Sequence, residues 1–226
     1  TLNFIGLPPM SFERTKSLQD SMHYIDRTLA EGGNELHQSQ MQIDGEPILI
    51  LAEPGAGKTE LLRSLFNVTG GQFLSARTFQ HKQNIGNDCL FIDGIDEVAK
   101  QGASSVEAII VKALDLSPKS LVISCRAGEW DDSYNTLFDD FATKLKTYYL
   151  KPLNKEEQQE IFVEKFPEEN FTAFYEKLSE FELDSLLGNP LFIYVFGLAY
   201  SSDNNLKVGK YEFNSRLIVG SGKYAD

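Results

Sequence analysis

The stretch from residue 48 to residue 66 constrains the fold of this chain most. Residues 48–51 read Ile-Leu-Ile-Leu, and a continuous apolar run of this length is typical of a parallel strand that is covered on both faces. A turn that contains two glycines follows at residues 52–57, and residues 58–66 have a helical pattern. A strand that passes through a tight turn into a helix predicts the first βα unit of an α/β sheet.

Strand-like and helical segments continue to alternate as far as residue 150. The further predicted strands are residues 72–79, 89–92, 120–124 and 147–150, and a further helix is predicted at residues 106–114. This order predicts a mainly parallel sheet with right-handed crossovers. Residues 155–200 then read as three or four helices without a strand, and Asn154 has Glu157 in capping-box position before them.

The change of pattern near residue 152 predicts the domain organisation. The expected regions are a helical or irregular lead-in at residues 1–45, an α/β domain at 46–152, a helical domain at 153–202 and an uninformative tail at 203–226. In the lead-in, residues 13–31 are predicted to form a helix that ends at Gly32-Gly33. Residues 190–200 are apolar almost all round, which predicts a helix buried in the core of the helical domain. Because the chain starts without Met and ends without a terminus signal, we expect a longer natural protein.

The composition narrows the class of protein. The net charge is −12 and the Lys and Arg residues are scattered, which argues against a nucleic-acid module in this fragment. No apolar stretch reaches the roughly 18 residues of a membrane helix, and the start lacks a basic signal region, so we expect a cytoplasmic protein without a membrane partner. Cys89 and Cys125 lie in apolar runs and are interpreted as buried reduced thiols, not as a nucleophile or a disulfide. The histidines have no zinc-ligand spacing.

The glycine-containing turn has the composition of a phosphate-binding P-loop. Gly55 and Gly57 allow backbone conformations closed to other residues, so that successive N–H groups form a nest for phosphate oxygens at a helix N-terminus. Lys58 would reach the β- and γ-phosphates, and Thr59 would offer a hydroxyl to Mg²⁺. The predicted nucleotide contacts are Glu53, Pro54, Gly55, Ala56, Gly57, Lys58, Thr59 and Glu60. The motif departs from its usual form at Ala52, where glycine is common, and the alternative is a strand-to-helix turn with a chance Gly-Lys-Thr.

This motif completes the predicted fold class, which is α/β, a P-loop NTPase parallel sheet flanked by helices and followed by a small all-helical domain. The strand at residues 89–92 ends in the carboxylates Asp93, Asp96 and Glu97. In a parallel sheet the end of this strand would lie beside the P-loop, so Asp93 is predicted to hold Mg²⁺ together with Thr59. Asp96 and Glu97 are predicted to orient or deprotonate the attacking water. Alternatively these two acids only begin a helix, where the helix dipole favours them.

Two of these motifs together carry a family resemblance. The run Asp-Gly-Ile-Asp-Glu at residues 93–97, with Glu-Pro-Gly-Ala-Gly-Lys-Thr at residues 53–59, resembles the NACHT branch of the STAND class of P-loop NTPases. Ordinary AAA+ proteins usually place Asp-Glu directly after the apolar strand, whereas two residues intervene here. The resemblance implies that Arg126 senses the γ-phosphate, that Pro190 packs on the adenine, and that residues 5–14 add to the base pocket. An exposed ion pair for Arg126 and a helix-start role for Pro190 are the alternatives.

The resemblance also implies a function. It implies an Mg²⁺-dependent switch that binds ATP or ADP, hydrolyses ATP weakly, and forms homo-oligomers when an unknown sensed ligand opens it. Such proteins activate an attached effector, and in bacteria they often act in antiviral defence. Three other functions stay open: an AAA+ motor or loader acting on nucleic acid or protein, a P-loop kinase for a small molecule, and an interaction module that has lost nucleotide binding.

Overall fold

A sheet of seven strands organises the molecule and confirms the predicted α/β class. The computed structural model describes residues 24–43, 45–86, 88–99, 102–201, 206–208 and 211–213. Its strands are β1 (Thr28–Glu31), β2 (Asn34–His37), β3 (Ile48–Ala52), β4 (Gln72–Ser75), β5 (Cys89–Asp93), β6 (Ser120–Arg126), β7 (Lys146–Leu150), β8 (Leu206–Val208) and β9 (Tyr211–Phe213). The seven-stranded sheet has the order β2-β1-β7-β3-β6-β5-β4, and β8 and β9 form a separate hairpin. Strands β7, β3, β6, β5 and β4 pair in parallel, whereas β1 pairs antiparallel with both β7 and β2.

Helices cover both faces of the sheet and continue beyond it. They are α1 (Lys58–Thr69), α2 (Ala76–His81), α3 (Asp96–Ala99), α4 (Ala103–Asp115), α5 (Asn135–Asp140), α6 (Lys155–Lys165), α7 (Phe171–Ser179) and α8 (Pro190–Ser201). Short 3-10 turns lie at Gln38–Gln40, Ala127–Glu129, Asp132–Tyr134 and Asp184–Gly188. Helix α1 packs on one face of the sheet, and helices α2 to α5 pack on the other. Within the described residues, no helix has the length and apolar character needed to cross a membrane.

Strand β3 shows how the sequence produces this layered arrangement. Its five residues are all buried, and successive side chains point to opposite faces of the sheet. Leu49 and Leu51 join the core shared with α4, whereas Ile48, Ile50 and Ala52 join the core shared with α1. A strand covered on both faces requires apolar residues at every position, which explains the continuous run in the sequence.

The register of the sheet gathers the candidate site at the carboxyl ends of three strands. Ala52, the last residue of β3, lies opposite Arg126, the last residue of β6. Strand β5 pairs with the other side of β6 and ends at Asp93. Ligands of open α/β sheets bind at this edge, because the loops that follow neighbouring strands meet there.

A helical segment, defined here as residues 155–201, follows the sheet, as predicted. The capping box at its start is present: Asn154 accepts a hydrogen bond from the Glu157 N–H at 2.9 Å, and the Asn154 N–H donates to the Glu157 carboxylate at 2.7 Å. Its core is aromatic, with the Phe162 and Phe174 rings stacked at 4.2 Å.

Helix α8 departs from its prediction of burial on all faces. Ile193 and Phe196 are buried, but Leu191, Tyr194 and Leu198 are 47%, 50% and 47% exposed. The helix is apolar on all sides but is buried only in part, because only one of its faces packs on α6.

The helix predicted at residues 13–31 is wrong over residues 24–31. Residues 28–31 form strand β1, which extends the sheet beside β7, and the part of the prediction at residues 13–23 lies outside the described residues. Gly32 and Gly33 have φ angles of 56° and 90°, which suit the two central positions of a tight hairpin turn. Leu29 is fully buried opposite Leu150, so pairing with a distant strand decides the structure of this segment.

The strand predicted at residues 72–79 is wrong in its second half. Strand β4 ends at Ser75, and helix α2 begins at Ala76. Ser75 caps this helix, because its hydroxyl accepts a hydrogen bond from the Thr78 N–H at 3.2 Å. The tail predicted as uninformative is described only as the hairpin of β8 and β9, and residues 5–14 lie outside the described part of the chain.

Candidate functional site

The turn between β3 and α1 adopts the backbone geometry that a phosphate nest needs. Gly55 has a φ of 78°, and Gly57, the residue that precedes helix α1, has a φ of 95°. Residues with a Cβ rarely adopt these angles, so the two glycines are required by conformation. The amide groups of the first turn of α1 carry no intrahelical partner, and the helix dipole makes this end attractive for an anion.

Lys58 folds back over this turn. Its ammonium donates to the carbonyl oxygens of Ala52 at 3.0 Å and Glu53 at 3.2 Å. Burial lowers the pKa of Lys58, while the charge of Asp96 acts in the opposite direction. The positive charge is thus held at the mouth of the turn. Among the predicted contacts, Glu53, Pro54 and Gly55 are exposed to solvent, and residues 56–60 are partly buried.

Thr59 and Asp93, which are both predicted to hold Mg²⁺, lie in direct contact. The Thr59 hydroxyl donates to one oxygen of Asp93 at 2.7 Å. The Ser124 hydroxyl donates to the other oxygen at 2.6 Å and accepts from the Gly94 N–H at 2.8 Å. Sequence reasoning missed Ser124, although a serine in the middle of an apolar strand was an available signal, since a fully buried hydroxyl needs partners.

The oxygen atoms of Thr59 and Asp93 fit Mg²⁺, which prefers hard oxygen ligands. No group of three or more His, Cys, Asp or Glu side chains among the described residues could hold a metal ion. Mg²⁺ usually binds through one or two protein ligands and keeps waters and phosphate oxygens for the rest. Two oxygen donors suit an ion that takes its other ligands from water and phosphate.

Asp96 and Glu97, which the sequence could not separate, have different surroundings. Asp96 is nearly buried, and its carboxylate binds Arg126 twice, at 2.8 Å to Nε and at 3.2 Å to the backbone N–H. Glu97 is half exposed and lies 3.5 Å from Nε of Arg77, another exposed side chain. Asp96 holds the Nε atom of Arg126, while the rest of that side chain, which is 40% exposed, still reaches solvent.

A cavity of about 190 Å³ opens beside the turn, between the sheet and the helical segment. Its lining is Glu53, Ala56, Leu150, Lys151, Pro152, Ser185, Leu186, Gly188, Asn189 and Phe192. Pro190, predicted to pack on an adenine, is the first residue of helix α8 and is not part of this lining. Asn189, the residue before Pro190, and the aromatic Phe192 line the cavity instead.

The helical segment touches the turn directly. The Asn189 side-chain amide donates to the Pro54 carbonyl oxygen at 2.8 Å. A Cβ placed on Gly55 would lie 2.7 Å from Cβ of Leu191, closer than real Cβ contacts allow. The Leu153 N–H also donates to the Gly188 carbonyl oxygen at 2.8 Å, which ties the end of the sheet to the same wall.

Arg27, which lies just before β1, contacts the turn from a distant part of the chain. Only 4% of it is exposed, and its guanidinium donates to the carbonyl oxygens of Ala56 and Lys151, both at 2.8 Å. Burial lowers its pKa, but an arginine keeps its charge in proteins. The partners lie 29 and 124 residues away along the chain, so no local pattern could indicate the contact.

The prediction that both cysteines are buried is correct for Cys125 and only partly correct for Cys89. Both are free thiols; Cys125 is buried and Cys89 partly buried. Burial raises the pKa of the Cys125 thiol to about 12, which opposes a role as a nucleophile.

Comparisons with known proteins do not assign a family. No protein-family model and no curated protein matches the chain. Among solved structures, the chain is similar to katanin, described in a study of the structural basis of katanin self-assembly, with 14% sequence identity and a TM-score of 0.44. The match covers 74% of this chain and spans 63% of the katanin chain. A likeness at this level carries no functional conclusion.

Proposed function

We propose that this chain binds ATP with Mg²⁺ at the turn between β3 and α1. The observation that carries the proposal is the 2.7 Å hydrogen bond between Thr59 and Asp93, beside the ammonium of Lys58. It joins a hydroxyl in the first turn of a helix to a carboxylate at the end of a neighbouring strand. That combination, at the mouth of a positive-φ glycine turn, is what Mg²⁺-dependent phosphate binding needs.

Different residues of the turn and its neighbours would bind the phosphates and the Mg²⁺ ion. The N–H groups of residues 55 and 57–59 would bind phosphate oxygens, whereas the Ala56 N–H already donates to the Glu53 carbonyl oxygen at 3.2 Å. Lys58 would leave its carbonyl partners to bind the outer phosphates. Thr59 and Asp93 would hold Mg²⁺, and Ser124 keeps the Asp93 carboxylate oriented. When bound, Mg²⁺ neutralises charge on the phosphate oxygens.

For hydrolysis, the contacts of the two acids favour different roles. Asp96 is engaged with Arg126 through both oxygens, so we assign it the task of orienting that guanidinium toward the terminal phosphate. Glu97 is the carboxylate left to orient or deprotonate water, but it is paired with Arg77 at the surface. A carboxylate that is engaged in an ion pair is a weaker proton acceptor, which fits slow turnover, and we propose a weak ATPase.

The cavity beside the turn is the proposed binding site of the adenine base of ATP. Its volume of about 190 Å³ is smaller than the ~300–1,000 Å³ of sites that enclose a whole ligand, so it suits one ring system of a larger molecule. Leu150, Leu186 and Phe192 supply apolar walls, which favour a flat aromatic base. Pro190 remains a proposed neighbour of the adenine.

At the level of the whole protein, we propose a switch of the NACHT-type STAND class. The contacts of Asn189 with Pro54 and of Leu191 with Gly55 support this, because they make the position of the helical segment depend on the shape of the phosphate-binding turn. Nucleotide would bias that position, homo-oligomerisation would follow when a sensed ligand opens the protein, and an attached effector would respond. A role in bacterial antiviral defence is part of the same proposal.

Binding of Mg-ATP to wild type and to Lys58→Ala tests the function. We expect wild type to bind Mg-ATP in calorimetry, with a thermal shift that EDTA reduces, and Lys58→Ala to bind at least tenfold more weakly by loss of one charge-assisted contact. Lys119→Ala is the control, because Lys119 is an exposed lysine paired with Asp88 near the opposite end of β6. Equal affinities of wild type and Lys58→Ala would show that the turn is not the phosphate site.

A further inference from the structure

Arg27 is held in place by its backbone as well as by its guanidinium. The Arg27 N–H donates to the side-chain oxygen of Gln38 at 3.0 Å, and the Arg27 carbonyl oxygen accepts from the Gln38 N–H at 2.9 Å. Gln38 is itself buried, accepts from the Tyr24 hydroxyl at 2.6 Å, and donates to Ser64 of helix α1 at 3.2 Å. The backbone of Arg27 is therefore held in place independently of the contacts that its guanidinium makes with the turn.

Both acceptors of the guanidinium belong to the cavity beside the turn. Ala56 lies in the wall formed by the turn, and Lys151 lies in the wall formed by the end of β7. The planar guanidinium of this almost fully buried side chain thus joins two walls of the proposed nucleotide site, with a 2.8 Å contact to each.

The contact with Ala56 fixes the direction of a neighbouring amide. The described residues contain no cis peptide bond, and in a trans peptide the C=O and N–H groups point in opposite directions. Since the Ala56 carbonyl points at Arg27, the Gly57 N–H points away from Arg27. The Gly57 φ of 95° and the absence of a Cβ leave this peptide easy to rotate, and a Cβ on Gly57 would meet Nη1 of Arg27 at 3.1 Å.

We propose that Arg27 is a positioning residue that locks the Ala56–Gly57 peptide with its N–H facing the bound phosphates. The inference rests on the proposed function and adds a residue to it. Without the guanidinium, rotation of this peptide would present a carbonyl oxygen, which repels phosphate, in place of an amide N–H, which binds it. A lysine in place of Arg27 supplies a point charge but not two donors in a fixed plane, so it does not replace the arginine.

The test compares Mg-ATP affinity in Arg27→Lys, Arg27→Ala and wild type, measured by calorimetry well below each melting temperature. We expect both variants to bind about tenfold more weakly, the effect of one lost directed contact. Millimolar methylguanidinium should restore binding in Arg27→Ala, whereas methylammonium, with the same charge, should not. Phe138→Leu is the control for lost stability, because Phe138 is fully buried in the core on the other face of the sheet.

The outcomes separate this inference from the proposed function. Wild type that does not bind Mg-ATP refutes the function and the inference together. Wild type that binds, with Arg27 variants of equal affinity or with a loss that Phe138→Leu reproduces, refutes the inference alone. If the Arg27 variants do not fold, Gln38→Met keeps the guanidinium but removes the amide that holds its backbone; we expect about threefold weaker binding, and unchanged affinity overturns the proposal.

Discussion

The pair of Asp96 and Arg126 offers the sharpest quantitative test of the site. Its perturbations are Asp96→Asn, Arg126→Met and the double variant. The Asp96 side chain is 7% exposed and Arg126 is 40% exposed, so water screens this pair from one side only. A hydrogen bond to a charged group contributes about 1.5–3 kcal/mol, and the half-exposed guanidinium places this pair at the lower end. Arg126→Met also leaves a carboxylate almost buried with the residue 126 N–H as a remaining donor, which adds a desolvation cost.

These numbers predict strong coupling between the two side chains. We expect each single variant to lower the free energy of unfolding by about 1.5–2.5 kcal/mol, and the double variant to cost clearly less than the sum, with a coupling energy of about 1–2 kcal/mol. Urea unfolding at pH 7 of the four proteins measures this. The control cycle uses Arg77→Met and Glu97→Gln, whose exposed pair at 3.5 Å should couple by less than about 0.5 kcal/mol.

The same four proteins test the assigned roles in turnover. If Asp96 acts only by orienting Arg126, Asp96→Asn should slow ATP hydrolysis, and the double variant should be no slower than Arg126→Met. Stability losses that add within about 0.3–0.5 kcal/mol, or a double variant that loses the product of the single effects on turnover, would refute the reasoning.

Three further perturbations probe the parts of the fold that carry the site. Burial raises the pKa of the Cys125 thiol from 9.0 to about 12. The stability contributed by the protonated thiol is therefore complete below pH 9 and is lost as the pH rises toward 12. Above pH 9, the melting temperature of Cys125→Ala should fall less steeply with pH than that of wild type. Asn154→Ala should lower the free energy of unfolding by about 1 kcal/mol in urea titration by removing the cap of helix α6, and Asn154→Ser should restore most of it. Gly55→Ala should cost about 1–2 kcal/mol for its left-handed backbone alone, and Leu191→Ala should not restore the loss of melting temperature, because the close contact is with Cβ of Leu191 and alanine keeps that atom.

The sequence predicted what is encoded locally. The strand, turn and helix at residues 48–69 were predicted because they follow one another directly along the chain, each with its own residue pattern. The capping box of Asn154 and Glu157 was found for the same reason, since both halves of the interaction are three residues apart. The capping box depends on hydrogen bonds that close within one turn of backbone, whereas β3 pairs with the distant strands β6 and β7.

What the sequence did not predict depends on contacts between distant segments. Residues 28–31 have helical composition but form a strand, because Leu29 is buried against β7. Ser124 and Arg27 carry no local motif, and their roles exist only when β5, β6 and the end of β7 are in place. The exposed face of α8 was missed because an apolar composition does not state which faces find a partner.

The carbonyl groups of the turn between β3 and α1 explain why these distant contacts matter to the candidate site. Lys58 binds the carbonyls of residues 52 and 53, Asn189 binds that of residue 54, and Arg27 binds that of residue 56. In trans peptides, the carbonyls of residues 52, 54 and 56 place the N–H groups of residues 53, 55 and 57 on the opposite side, where they could bind an anion. The carbonyl of residue 53 precedes Pro54, which has no N–H to offer. Of these three donors, Lys58 begins helix α1, Arg27 precedes the sheet, and Asn189 belongs to the helical segment.

The three donors would respond differently to a nucleotide. Phosphates would draw Lys58 away from its carbonyl partners. Arg27, which is almost fully buried, would keep its hydrogen bond to the carbonyl oxygen of residue 56. Asn189 can keep the carbonyl of residue 54 only if the helical segment moves with the turn. Asn189→Ala should therefore change Mg-ATP affinity by about threefold or less, the value of one neutral hydrogen bond at the surface, yet uncouple the protease sensitivity of residues 155–201 from added nucleotide. A variant whose helical segment still becomes protected on adding Mg-ATP would show that the coupling runs through other contacts.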